Sequence, residues 1–264
     1  MNDMVYLYGF VPPATPEPPK RVTGIADASV RLLDLGDAHA VVSDVPAARY
    51  APAVVEARLQ DLAWVGEQGM AHERVVVWFA DNADILPARM FSLYTGDAAL
   101  RDAAAGRLAE VTAALRSLAG RREWNLKVAY DADELARHGA EVSPELNRLD
   151  EEMALATPGR RYLLERRRTD VLKQEVSRAA RALADELLKA LARHADDVRV
   201  LPAVEGDDAG TVVLNAALLV TRDAEENLRT AAADLYQQYT ALGMIISFSG
   251  PWAPYRFVEL YGDA

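Results

Sequence analysis

The chain has 264 residues, 51% of them hydrophobic and 26% charged, enough for a sizeable core in one large domain or two ordinary ones. Cysteine is absent, which excludes disulfides, thiolate metal sites and cysteine nucleophiles. The net charge of −11 argues against a general nucleic-acid binder, no signal-peptide pattern opens the chain, and no apolar run reaches membrane-spanning length.

Met4 to Val11 is rich in β-branched and aromatic residues and predicts a strand. Five prolines between Pro12 and Pro19 make the next stretch an extended surface connection. Two short strands are expected near Val30–Leu33 and Ala38–Val42, with Leu35-Gly36-Asp37 as the turn between them. A helix is expected to start at Pro52, bury Val55, Leu59 and Leu62, and stop near Gly69. The continuous apolar run Val75-Val76-Val77-Trp78-Phe79 predicts a central strand, and Asp84 to Phe91 an irregular segment with apolar anchors. A helix from Asp97 to Ala119 then keeps Leu100, Ala104, Leu108, Val111, Leu115 and Leu118 on one face. The first 120 residues thus read β-β-β-α-β-α, an α/β sandwich.

A second unit opens with the alternating strand Trp124–Tyr130. Ser143-Pro144 and Thr157-Pro158 both look like helix starts, the second opening a long helix to about His194 along Leu172, Val176, Ala179, Leu183, Leu187 and Leu191. Short and long strands follow at Asp197–Leu201 and Thr211–Val220, around a turn at Glu205–Gly210. Asp223 and Glu226 have capping-box spacing for a helix through Leu228, Leu235 and Tyr239, and Met244–Phe248 is the last strand. The order β-α-β-β-α-β is that of the ferredoxin-like fold. The expected class is therefore α+β with two domains: residues 1–120, and a ferredoxin-like domain with a long helix at residues 121–248. Residues 249–264 form a Pro/aromatic tail.

Chemistry is sparse. His39, His72, His138 and His194 show no metal-ligand spacing; His72 and His138 sit in turn-like contexts and His194 near a helix C-terminus. No nucleophile elbow, Walker loop or dinucleotide fingerprint occurs. Asp131, Asp133 and Glu134 cluster at a strand-to-helix junction, where solvated acids are the simpler reading than a hard-cation site. Catalytic residues, cofactors and metals are accordingly not expected. Two stretches stand out as partner-binding candidates. Arg160, Arg161, Arg166 and Arg167, with Arg168, lie near the start of the long helix, where the macrodipole disfavours cations; Tyr162-Leu163-Leu164 between them is expected in the core. In the tail, Pro251, Trp252, Pro254 and Tyr255 form a rigid aromatic segment. Trp252 and Tyr255 are expected to anchor it on its own protein, with Arg256 most solvent-facing.

Gly250-Pro251-Trp252-Ala253-Pro254-Tyr255-Arg256-Phe257 resembles the C-terminal GPWPPYSF signature of the gas vesicle GvpF/GvpL family, with Ala253 in place of a usual proline and Arg256 in place of a small polar residue. Val5-Tyr6-Leu7-Tyr8-Gly9, Ile85-Leu86-Pro87-Ala88-Arg89-Met90, Gly120 to Lys127, Tyr162-Leu163-Leu164 and Val213 to Val220 resemble other blocks of that family, in the same order. The resemblance implies a two-domain accessory or structural protein of gas vesicle formation. It would act with the small hydrophobic shell protein and other gas vesicle accessory proteins, not with nucleic acid or a lipid membrane. Such proteins are made in the cytoplasm and associated with the vesicle's inner, gas-facing surface. The alternative is a ferredoxin-like module that binds a small molecule.

Overall fold

The structure is a computed structural model and describes residues 3–139, 144–202 and 210–258. The chain divides into two compact units, Met1–Glu123 with Pro251–Ala264, and Trp124–Gly250. It is an α+β protein with two four-stranded antiparallel sheets.

In the first unit, β1 (Met4–Val11) is buried at all eight positions, which is why its sequence carries no polar alternation. It lies between β3 (His39–Val45) and β4 (Leu86–Tyr94), antiparallel to both, and β2 (Arg31–Asp34) completes the order β2-β3-β1-β4. After β3 come α1 (Ala47–Tyr50), α2 (Pro52–Arg58) and α3 (Leu62–Asn82); after β4 come α4 (Asp97–Ala105) and α5 (Leu108–Leu118). Tyr6 and Tyr8 of β1 join Trp64, Val75, Val76 and Phe79 of α3 in the main core. Leu7 and Phe10 line a small apolar cleft with Leu100, Ala104 and Val111 of α4 and α5.

Four expectations for this unit are corrected. Val75–Phe79 is not a strand but part of α3, which runs through Gly69 without stopping. Asp61 starts that helix by accepting a hydrogen bond from the Trp64 amide (3.1 Å). Leu59 and Leu62 do not form a buried stripe with Val55; they are 45% and 81% exposed. The segment expected to be irregular is β4. Its register against β1 jumps from Leu7↔Ser92 to Gly9↔Pro87, so Ala88–Phe91 bulge out opposite Tyr8. As the sheet's edge, β4 tolerates Pro87. The single helix expected from Asp97 breaks at Gly106 and Arg107 into α4 and α5.

The second unit contains β5 (Arg121–Tyr130), α6 (Ala132–Gly139), α7 (Pro144–Ala154), α8 (Pro158–Ala192), β6 (Asp197–Val200), β7 (Thr211–Thr221), α9 (Glu225–Thr240) and β8 (Met244–Trp252); β5 and β8 each run on from or into the first unit. The sheet order is β6-β7-β5-β8. Counting strands from the start of each unit, both sheets have the order 2-3-1-4, the ferredoxin-like arrangement. In the first unit the crossover between its first two strands is the proline-rich segment and one 3-10 turn, Ile25–Asp27, rather than an α-helix. The expected capping box is not formed: Arg222–Ala224 is a 3-10 turn and α9 starts at Glu225 without a side-chain cap. Most of the turn expected at Glu205–Gly210 lies outside the described residues.

Helix α8 has 35 residues, about 50 Å at 1.5 Å per residue. Only its second half covers the sheet, through Val176, Ala180, Ala184, Leu187 and Leu191. Its first half belongs to a separate small core in which Leu164 and Val171 meet Leu146 and Leu149 of α7. The two helices therefore form a hairpin arm with a core of its own.

Candidate interaction surfaces

The tail is built into the first unit. β8 continues through Pro251 and Trp252 as an edge strand. Beyond it Ala253 is fully buried in the first unit's core and Pro254 is buried as well. A 3-10 turn, Tyr255–Phe257, then presents three donors to two carboxylates. The Tyr255 hydroxyl donates to Glu73 Oε2 (2.9 Å). The Arg256 amide donates to Glu123 Oε2 (2.9 Å), and the Arg256 guanidinium pairs with Glu123 Oε1. Glu123 is completely buried, where bonds from charged and amide donors favour a carboxylate. Burial raises the Glu73 carboxyl above its usual range, partly offset by the Tyr255 hydroxyl. Burial, then the Glu73 charge, raises the Tyr255 phenol.

This arrangement fastens the tail from within. Tyr255 is an anchor, as expected. Trp252 is not: it is 38% exposed, and Ala253, Pro254 and Phe257 occupy the buried positions instead. Arg256 is exposed but fixed on Glu123. Of the four tail candidates, Trp252 is the exposed one and Pro251 is half-buried.

Beside the tail's partner Glu73 stands His72, buried in the middle of α3 rather than in a turn. Its Nδ1 shares a hydrogen bond with the Tyr6 hydroxyl (2.9 Å), which also accepts from the Phe91 amide (3.0 Å). Burial pushes the imidazole down to about 4, with the Ala88 carbonyl acting against the shift. His39 lies 3.7 Å from Asp34, and His194 follows the end of α8. The His138 side chain lies outside the described residues. Asp131 serves as a helix cap, accepting from the amides of Asp133 and Glu134 (2.9 and 3.0 Å). Among the described residues no group of three or more potential ligands is placed to hold a metal ion, and no helix is long and apolar enough to cross a membrane.

The arm carries the other candidates. Arg168 is held by Asp150 of α7 through two bonds (2.5 and 3.1 Å). Arg160 and Arg167 stand farther from Glu152 and Glu145, at 3.8 and 3.5 Å, and remain 69% and 65% exposed. Arg161 donates to the Met153 carbonyl (3.3 Å), and Arg166 has no ion-pair partner among the described residues. Tyr162-Leu163-Leu164 is not all core, because consecutive helical residues point about 100° apart. Only Leu164 turns inward; Tyr162 and Leu163 are 60% and 66% exposed. Leu155, in the α7–α8 turn, is 92% exposed. Sequence reading missed this apolar tip, although five arginines around Tyr162 and Leu163 already pointed away from a buried site.

The family model described as gas vesicle synthesis protein GvpL/GvpF matches residues 4–259. The chain belongs to the GvpL/GvpF family. Gas vesicle protein L and gas vesicle protein F of Streptomyces sp. (strain CB03234) are each 30% identical to it. The alignments cover 97% of this chain and 92% of the first relative, and 96% and 99% for the second. Gas vesicle protein L2 of Halobacterium salinarum is 28% identical, covering 89% of this chain and 83% of that protein. Among solved structures, GvpF of Anabaena sp. PCC7120 superimposes with a TM-score of 0.73 at 18% identity, covering 98% of this chain and 99% of the other. GvpF of Microcystis aeruginosa gives 0.68 at 19%, covering 98% and 100%. At these identities the two structures establish the fold, and the GvpL/GvpF assignment rests on the family match and the relatives.

Proposed function

We propose that this chain is a non-enzymatic accessory protein of gas vesicle assembly that binds the small hydrophobic shell protein and helps nucleate or build the vesicle at its gas-facing side. Membership of a gas vesicle family supports the setting. The observation that carries the binding role is the exposed apolar tip of the arm, Leu155, Tyr162 and Leu163, bordered by Arg160, Arg161, Arg166 and Arg167. Exposed apolar side chains grouped within a polar rim are a common mark of a protein-binding surface. Trp252, with Pro251 beside it, offers a smaller aromatic contact on the tail.

Co-expression with the shell protein tests this. The two are expected to co-purify, and a strain lacking the gene is expected to form few or no vesicles. No association together with normal vesicles in that strain sinks the reading. A second reading, a small-molecule-binding module, draws on the apolar cleft of the first unit, whose lining includes Arg107 and Tyr94. A saturable rise in melting temperature with a metabolite, abolished by Trp in place of the cleft-lining Ala103 (Ala103→Trp), would favour it.

A further inference from the structure

We propose that the arm formed by α7 and the first half of α8 is a docking surface for an amphipathic partner helix with an acidic flank. This deepens the assembly reading and rests on it. A two-helix hairpin covers only one side of each helix, and its core of four buried residues stands apart from the sheet. The geometry that extends such a hairpin is a third helix packed against it.

The side chains define that helix's chemistry. Tyr162 and Leu163 are the exposed apolar residues of α8's first turns. On a helical surface Leu163 neighbours Arg160 three residues before it and Arg166 and Arg167 three and four after it; Tyr162 neighbours Glu165 and Arg166. The apolar spot is thus bracketed by guanidinium groups. Residues 158–168 contain five arginines and one acid, Glu165, in a chain of net charge −11. Arg160 and Arg161 stand in the first turn of α8, where the helix dipole disfavours cations. The arm's own acids engage Arg168 closely but Arg160 and Arg167 loosely, and Arg166 has no ion-pair partner among the described residues. A partner bringing carboxylates around an apolar stripe would complete these pairs while covering Tyr162 and Leu163.

The test uses the full chain and two labelled peptides of about 18 residues, five helical turns. Both carry leucines at helical spacing; one is flanked by glutamates and the other by lysines. The glutamate peptide is expected to bind saturably and to weaken with added salt. Its affinity should drop at least about tenfold in Tyr162→Ser/Leu163→Ser and in Arg166→Glu/Arg167→Glu. The charge-reversed variant should instead prefer the lysine peptide. All four positions are exposed, so unchanged thermal unfolding should accompany these losses. Equal binding of the two peptides, no binding of either, or an unchanged preference after charge reversal overturns the proposal. So does preferential binding of anionic vesicles, or a self-association that the serine variant abolishes. Shell-protein capture that survives both variants leaves the assembly reading standing and removes the arm from it.

Discussion

Two residues show how little freedom the centre of the first unit has. A Cβ on Gly9 would lie 2.6 Å from the Leu86 carbonyl oxygen, on backbone that cannot step aside cheaply. Gly9→Ala is therefore expected to destabilise the first unit by about 1–3 kcal/mol, read from denaturant midpoints. His72 sets a pH dependence. Its folded-state pKa of about 4 lies below the ordinary 6.5, so between those values the unfolded chain binds more protons. The contribution is fully present above about pH 6.5 and is lost as pH falls towards 4, by at most about 3 kcal/mol. His72→Gln should make the stability of the first unit fall less steeply across that window. An identical slope in wild type and variant would show that His72 is not the group responsible.

At the scale of elements, the arm is the part most open to separate perturbation. Leu149→Ala should open a cavity in a cluster of only four buried residues, at about 2–3 kcal/mol. Amide exchange in α7 is expected to accelerate while β7, in a different cluster, stays protected. Uniform acceleration in both would mean that the arm and sheet open together. The elements also show what a single sequence conceals. β1 was legible because a strand buried on both faces reads as an unbroken apolar run. The same kind of run misled at Val75–Phe79. There the helical period emerges only if Gln68 and His72 are counted as buried positions, and their polarity hides that. The Tyr50 hydroxyl donates to Gln68 Oε1 and the Tyr6 hydroxyl bonds His72 Nδ1, contacts made across 18 and 66 residues of sequence. β4 was obscured by Pro87 and the four-residue bulge, features that only an edge position makes compatible with a strand. Of the candidate surfaces, the arginines were legible as a charge pattern. The exposed tip was not, because Tyr162-Leu163-Leu164 does not disclose which of its members faces inward.

At the scale of the whole molecule, the tail's rigidity was legible from its prolines, but its destination was not, since nothing local specifies Glu73 or Glu123 as its partners. Ending the chain after Gly250 removes Ala253, Pro254 and Phe257 from the first unit and leaves the buried Glu123 carboxylate without its Arg256 bonds. Taking an ion-pair partner away from a buried charge is destabilising. Amide exchange in β1 and β3 of the shortened chain is expected to rise, with β7 unchanged; undiminished protection in β1 would show that the tail is dispensable. The tail's place has a consequence for biosynthesis. Residues 124–250 are contiguous and can mature as soon as they leave the ribosome, whereas the earlier-made unit must wait for its final strap. Translation that halts within the last residues of β8 would release a chain with one mature unit and one unfinished. Only molecules translated past Phe257 would carry the first unit's strap entire.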